Sequence, residues 1–206
     1  MTARIPDDVE FTTVSALPLA LSTAAGGLYE RCYLGLTPPK EARFRRKKSG
    51  EQVLLVWGGC SSITSCAIQL AVASGLKVLV TAPEKYHGCI RGLGADYVID
   101  QSQKNAVQRL IEAATGKIII GAFDVVSTKS SSMRCAEFLH HFGGGICFAT
   151  NPVDFGDHCV LLGDVQRVSG KRRRARRIST FCINDHRPST QPLLRRRVPD
   201  MDGCLV

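Results

Sequence analysis

Five small residues in a row, Gly58, Gly59, Cys60, Ser61 and Ser62, follow directly on the apolar stretch V-L-L-V-W at 53–57. Small side chains there let backbone N–H groups come close to a phosphate, and a helix beginning just behind them adds a partial positive charge. Gly58 and Gly59 permit a tight turn, and Ser61 or Ser62 is placed to donate a hydroxyl or to cap the helix. The chemistry that suits this spacing is the seating of a dinucleotide pyrophosphate. A glycine turn alone is equally a well-packed connection, and its flanks decide between the two. Cys60, at the helix N-terminus, is expected to have a lowered thiol pKa, against the plainer reading of a packed side chain.

The flanks have the required form. The apolar run at 53–57 is of strand length, and behind the turn apolar or small residues recur at helical spacing: Ile63, Cys66, Ala67, Leu70 and Ala71. A second apolar strand at 77–81 follows one helix later, the spacing of a right-handed parallel crossover. The pattern then continues with a short helix over 84–92, a strand at 95–100 and an amphipathic helix over 103–114. A strand at 118–126, a helix at 130–141 and a fifth strand at 145–149 complete it. Strands alternating with helices predict an α/β fold, a doubly wound parallel sheet. Upstream, 14–36 reads as one Ala- and Leu-rich helix entered near Pro18 and ended near Gly35, in which Gly26 and Gly27 would admit a neighbouring backbone.

The chain has 206 residues and a formal charge of +9, unevenly spread: residues 1–165 carry 16 basic and 15 acidic side chains, and 166–206 carry 11 and 3. The expected organisation is therefore an N-terminal helix and connector over 1–50, a dinucleotide-binding domain over 51–165, and a basic, disordered C-terminal tail over 166–206. A further strand at 158–165 is compatible with the pattern. No run of about 18 apolar residues is present to span a bilayer, and Asp7, Asp8 and Glu10 are the reverse of a basic secretory leader. A cytoplasmic location is expected. The nine cysteines are scattered without a C-x-x-C pair, which argues for reduced thiols and against a disulfide framework or a metal site.

Four stretches together carry a family resemblance: P-L-A-L-S-T-A-A-G-G-L-Y at 18–29, L-V-W-G-G-C-S-S at 55–62, A-I-Q-L-A at 67–71 and L-G-A-D-Y-V-I-D at 93–100. Over residues 5–152 the chain resembles the zinc-independent medium-chain dehydrogenase/reductase superfamily. Within it, the chain is most similar to fungal trans-acting enoyl reductases and quinone-reductase-like oxidoreductases. The resemblance implies NADP(H)-dependent hydride transfer to an activated double bond or carbonyl of a small-molecule substrate, and pairing as a homodimer through the sheet edge. It places Thr23 near the nicotinamide, the turn from Gly58 to Ser62 on the pyrophosphate, and Lys85 and Tyr86 on the adenosine 2′-phosphate. Ser127 and Thr128 fall along the middle of the cofactor, and Ala149 borders the nicotinamide. Thr81, Ala82 and Pro83 stand where a ribose-binding acid is expected about 20 residues past the turn, which favours NADP(H), although Glu84 follows.

Plainer roles stand beside these. Thr23 also suits packing or capping within a helix, Lys85 a solvated surface, and His140 and His141 a helix C-terminus. Three departures from the family bear on activity. Thr64 occupies the third fingerprint position, where its branched side chain is expected to crowd the helix against the strand or the cofactor. The substrate domain expected ahead of Met1 is missing, and its return segment is replaced by K-R-R-R-A-R-R and its surroundings. The chain thus reads as a truncated cofactor half, with no catalytic residue assigned. A non-catalytic dinucleotide-binding or interaction module is the alternative. A basic-tailed nucleic-acid-binding protein is a further one, disfavoured because no aromatic residues interleave with the basic run.

Overall fold

The computed structural model describes residues 4–39, 52–151 and 165–169, the last as backbone only. Two N-terminal helices, α1 (Phe11–Val14) and α2 (Leu17–Tyr29), precede β1 (Gln52–Trp57), α3 (Ser62–Ala73) and β2 (Lys77–Thr81). A 3-10 turn (Glu84–Tyr86) leads into α4 (His87–Gly92), followed by β3 (Tyr97–Ile99), α5 (Ala106–Ala114) and β4 (Ile118–Asp124). The described chain closes with α6 (Lys129–His141), β5 (Gly145–Ala149) and β6 (Val165–Ser169). The six strands lie in the order β3-β2-β1-β4-β5-β6, every pair parallel. The expected doubly wound sheet is therefore present, and the order reverses between β1 and β4. Parallel strands all end on one edge, so the segments after Trp57, Thr81, Asp124 and Ala149 share it.

Both sheet faces are covered, which explains why β1 reads as an unbroken apolar run. Leu54 and Val56 pack with Val78, Val80 and residues of α2 and α3 on one face. Val53, Leu55 and Trp57 alternate to the other, under α5 and α6. Ala20, Ala24 and Leu28 of α2 belong to the first core, so the N-terminal helix is part of the same packed body as the sheet.

Three sequence expectations are corrected. Helix α2 ends at Tyr29 instead of near Gly35, because the chain turns back to bury Leu34: Leu34 N–H donates to Gly27 O at 3.2 Å and Leu36 N–H to Leu28 O at 2.8 Å. Leu34 fills the space above Gly121, where an added Cβ would lie 2.5 Å from its Cδ2. Gly27 admits aromatic rings and not a backbone, since a Cβ there would stand 2.5 Å from Phe148 and 2.6 Å from Phe123. The further strand, compatible with the sequence at 158–165, runs over Val165–Ser169. Its sequence, V-Q-R-V-S, lacks the apolar run by which the buried strands announce themselves, as befits the edge of a sheet. Residues 170–206, with the basic run, lie outside the described residues, as does 158–164.

Candidate functional site

The turn after β1 sits where the strand order reverses, between the ends of β1 and β4. Gly58 has φ +96°, a conformation that L side chains rarely adopt, and a Cβ on it would run into Val126. Gly59 is closed in as well: a Cβ there would approach Ile90, Ala82 and Val80 within 3 Å. Both glycines are therefore required by shape. Their amides point into the protein, Gly58 N–H to Thr81 Oγ1 at 3.1 Å and Gly59 N–H to Thr81 O at 2.7 Å. Thr81, at the end of β2, fastens the start of the turn, a role the sequence reading did not give it.

The next four residues differ. The amides of Cys60, Ser61, Ser62 and Ile63 have no acceptor among the described residues. They open α3, whose twelve residues add the dipole's partial positive charge. Ser61 is the N-cap, its Oγ accepting Thr64 N–H at 3.1 Å. Ser62 is exposed. Thr64 is fully buried, and its Oγ1 donates to Gly58 O at 2.5 Å. The expected crowding of helix against strand does not occur, because the hydroxyl is absorbed as a hydrogen bond that ties the helix to the strand end.

Cys60 is exposed at the mouth of the turn. Burial of its sulfur surroundings pushes the thiol pKa up, with the Lys85 cation drawing it the other way. The expected acidification is thus reversed. Lys85 follows β2, the strand paired with β1, and its Nζ lies 4.9 Å from the centroid of the Tyr86 ring. Lys85 and Tyr86 are both exposed in the 3-10 turn after β2.

On the β4 side, Ser127 has φ +53°, the described non-glycine residue with positive φ. Asp124 holds it there. This fully buried carboxylate accepts Ser127 N–H at 2.9 Å, Ser131 Oγ–H at 2.9 Å and Ser132 Oγ–H at 2.7 Å. Ser127 Oγ lies 3.0 Å from Thr150 Oγ1 and accepts Asn151 N–H at 3.1 Å, so the segments after β4 and β5 are laced together. Thr128 caps α6, its Oγ1 accepting Ser131 N–H at 3.1 Å. The hydroxyls of Ser127 and Thr128 are thus engaged in shaping the edge. Asp124 escaped the sequence reading; an acid closing an apolar strand, with two serines seven and eight residues on, is the signal that could have found it.

Thr23 lies across from the end of β5. It lines a concavity of about 250 Å³ with Ser22, Glu30, Tyr33, Phe148 and Thr150. Ala149 is fully buried, and it is Thr150 that lines the concavity. The structure gathers the turn residues with Lys85, and Ser127 with the Thr23 concavity through Thr150. Among the described residues no group of His, Cys, Asp or Glu is arranged to hold a metal ion, and no helix is long and apolar enough to cross a membrane.

A sheet of this order, with a glycine turn at its point of reversal, defines a Rossmann-type α/β domain. A trans-enoyl reductase of Aspergillus japonicus is 34% identical over 149 residues, 70% of this chain and 40% of the relative. A dehydrogenase of Monascus ruber is 37% identical over 155 residues, 74% of this chain and 41% of the relative. The crystal structure of Escherichia coli quinone oxidoreductase complexed with NADPH superimposes with a TM-score of 0.59 at 23% identity, over 81% of this chain and 49% of that one. No family model matches the chain. On these likenesses the chain belongs to the medium-chain dehydrogenase/reductase superfamily, and it spans about 40% of the length of the curated relatives it matches.

Proposed function

We propose that the chain is the cofactor-binding part of a zinc-independent, NADP(H)-dependent reductase of the enoyl or quinone type. The observation that carries this is the row of four amides at the start of α3, Cys60 to Ile63, that have no acceptor among the described residues, on the sheet edge that Lys85 shares. Glycine positions that no Cβ could occupy form the floor beneath them. That donor set fits a diphosphate bridge, since backbone N–H groups and a helix N-terminus favour negative charge without bringing a side chain into its path. Lys85 is assigned the 2′-phosphate of the adenosine, and Tyr86 the adenosine side of the same turn. Ser127 and Thr128 line the middle of the cofactor with their backbone. Thr23, Ala149 and Thr150 border the nicotinamide at the concavity. When bound, the nicotinamide supplies the hydride, and the work of this chain is to fix its position relative to an activated double bond or carbonyl. The binding unit comprises α2 together with 52–169, instead of ending at the boundaries expected from charge.

Titration with NADPH, followed by the blue shift and enhancement of its fluorescence, tests the reading. Saturable binding tighter than that of NADH is expected, with Lys85→Gln erasing most of the difference. No response at millimolar NADPH would overturn it. The alternative is a non-catalytic binding module. Binding without consumption of NADPH in the presence of a quinone or an enoyl thioester would select it.

A further inference from the structure

Thr64 stands where the fingerprint carries a glycine, and the hydrogen-bond directions around it can be worked out completely. A carbonyl only accepts, so the 2.5 Å contact with Gly58 O uses the one hydroxyl proton of Thr64. The 3.1 Å contact between the Ser61 and Thr64 hydroxyls must then have Ser61 as donor. Ser61 Oγ also accepts Thr64 N–H at 3.1 Å. Ser61 is consequently engaged in both directions by a single residue. The carbonyl of Gly58 is held inward by the same contact, which keeps its negative end out of the space an anion would occupy.

From this we infer that Thr64 is a positioning residue for the diphosphate, an inference that rests on the function proposed above. It closes the turn from behind, removes the Ser61 hydroxyl from ligand contact, and leaves binding to the amides of Cys60, Ser61, Ser62 and Ile63 and to the hydroxyl of Ser62. Ser62 Oγ makes no hydrogen bond among the described residues and is exposed. A glycine at 64 would leave Gly58 O and the Ser61 hydroxyl without this partner, so Thr64→Gly is expected to weaken binding, the opposite of what steric crowding predicts.

The test is NADPH affinity by fluorescence in wild type, Thr64→Val and Thr64→Ser, with Thr64→Ala as the smaller variant if valine does not fold. Loss of the hydroxyl is expected to weaken NADPH about fivefold, the change that accompanies one neutral hydrogen bond, and serine is expected to restore it. Ser62→Ala should weaken binding further in either background. Competition against NADPH separates positioning from general loosening: inorganic pyrophosphate should compete less well in the hydroxyl-less variant, and 2′-AMP as well as before. Unchanged NADPH affinity without the hydroxyl, failure of serine to rescue, or equal weakening of pyrophosphate and 2′-AMP would each overturn the role of Thr64. A wild type that does not bind NADPH at all would instead overturn the proposed function, and this inference with it.

Discussion

Cys60 shows how far a residue's chemistry depends on neighbours that are distant in sequence. Its place at the start of a helix suggests an acidified, reactive thiol. In the folded protein desolvation outweighs the pull of the Lys85 cation, and the thiol is held above its ordinary value. Alkylation by iodoacetamide at Cys60, followed site by site with mass spectrometry, should therefore be slow at neutral pH and rise with an alkaline midpoint. Lys85→Gln should move that midpoint higher still, because it removes the charge that favours the thiolate. A midpoint below the usual thiol value of about 8.5 would contradict this account. The serines and threonines of the site teach the same lesson. Ser61 takes the capping role, one of the two open to it in the sequence, while the hydroxyls of Ser127 and Thr128 lace and cap the other side of the edge.

Among the elements, the junction of β4 with α6 is the most heavily tied. Asp124 ends the strand, turns Ser127 into a left-handed conformation and receives the hydroxyls of Ser131 and Ser132 in the first turn of the helix. A carboxylate at a helix N-terminus is favoured by the dipole, and three donors converge on this one. Asp124→Asn turns acceptor capacity into donors facing donors, and should destabilise the protein by about 2 kcal/mol, the range for hydrogen bonds to a buried charge. Urea unfolding measures it, and a loss below a few tenths would mean that the three hydrogen bonds contribute little. The same substitution should loosen the loop at 125–128.

For the whole molecule, α2 joins the sheet through one layer of the core, and Tyr29 pins it to α3. The phenol donates to Leu70 O at 3.1 Å and lies 2.9 Å from Ser74 Oγ. Burial raises its pKa above the ordinary value of 10.0, with the Ser74 contact acting in the other direction. A raised folded-state pKa means that this contribution to stability is fully present below pH 10 or so and is lost as pH climbs through the folded value. Tyr29→Phe should cost about 1 kcal/mol at neutral pH, and its unfolding curve should fall less steeply than that of the wild type in alkaline solution. Equal alkaline slopes would show that another group governs the transition.

The sheet, its parallel sense and most element positions were legible in the chain because both faces of the sheet are covered. Strands 77–81 and 145–149 needed apolar centres, V-L-V and I-C-F-A, to bury in that setting, and helix 106–114 needed one apolar face, so the pattern of side chains by itself determined them. Gly58 and Gly59 were legible too, since a tight turn demands them wherever it leads. What only the tertiary structure decided was the direction in which polar groups point. The helix that should have continued to Gly35 stops at Tyr29 because Leu34 finds its place over Gly121. Thr64, expected to obstruct, finds the carbonyl of Gly58 six residues back, and Asp124 finds donors on the following helix. A hydrogen bond depends on where partners meet in space to within a few tenths of an ångström, whereas burial requires only that a residue be apolar and on the correct face.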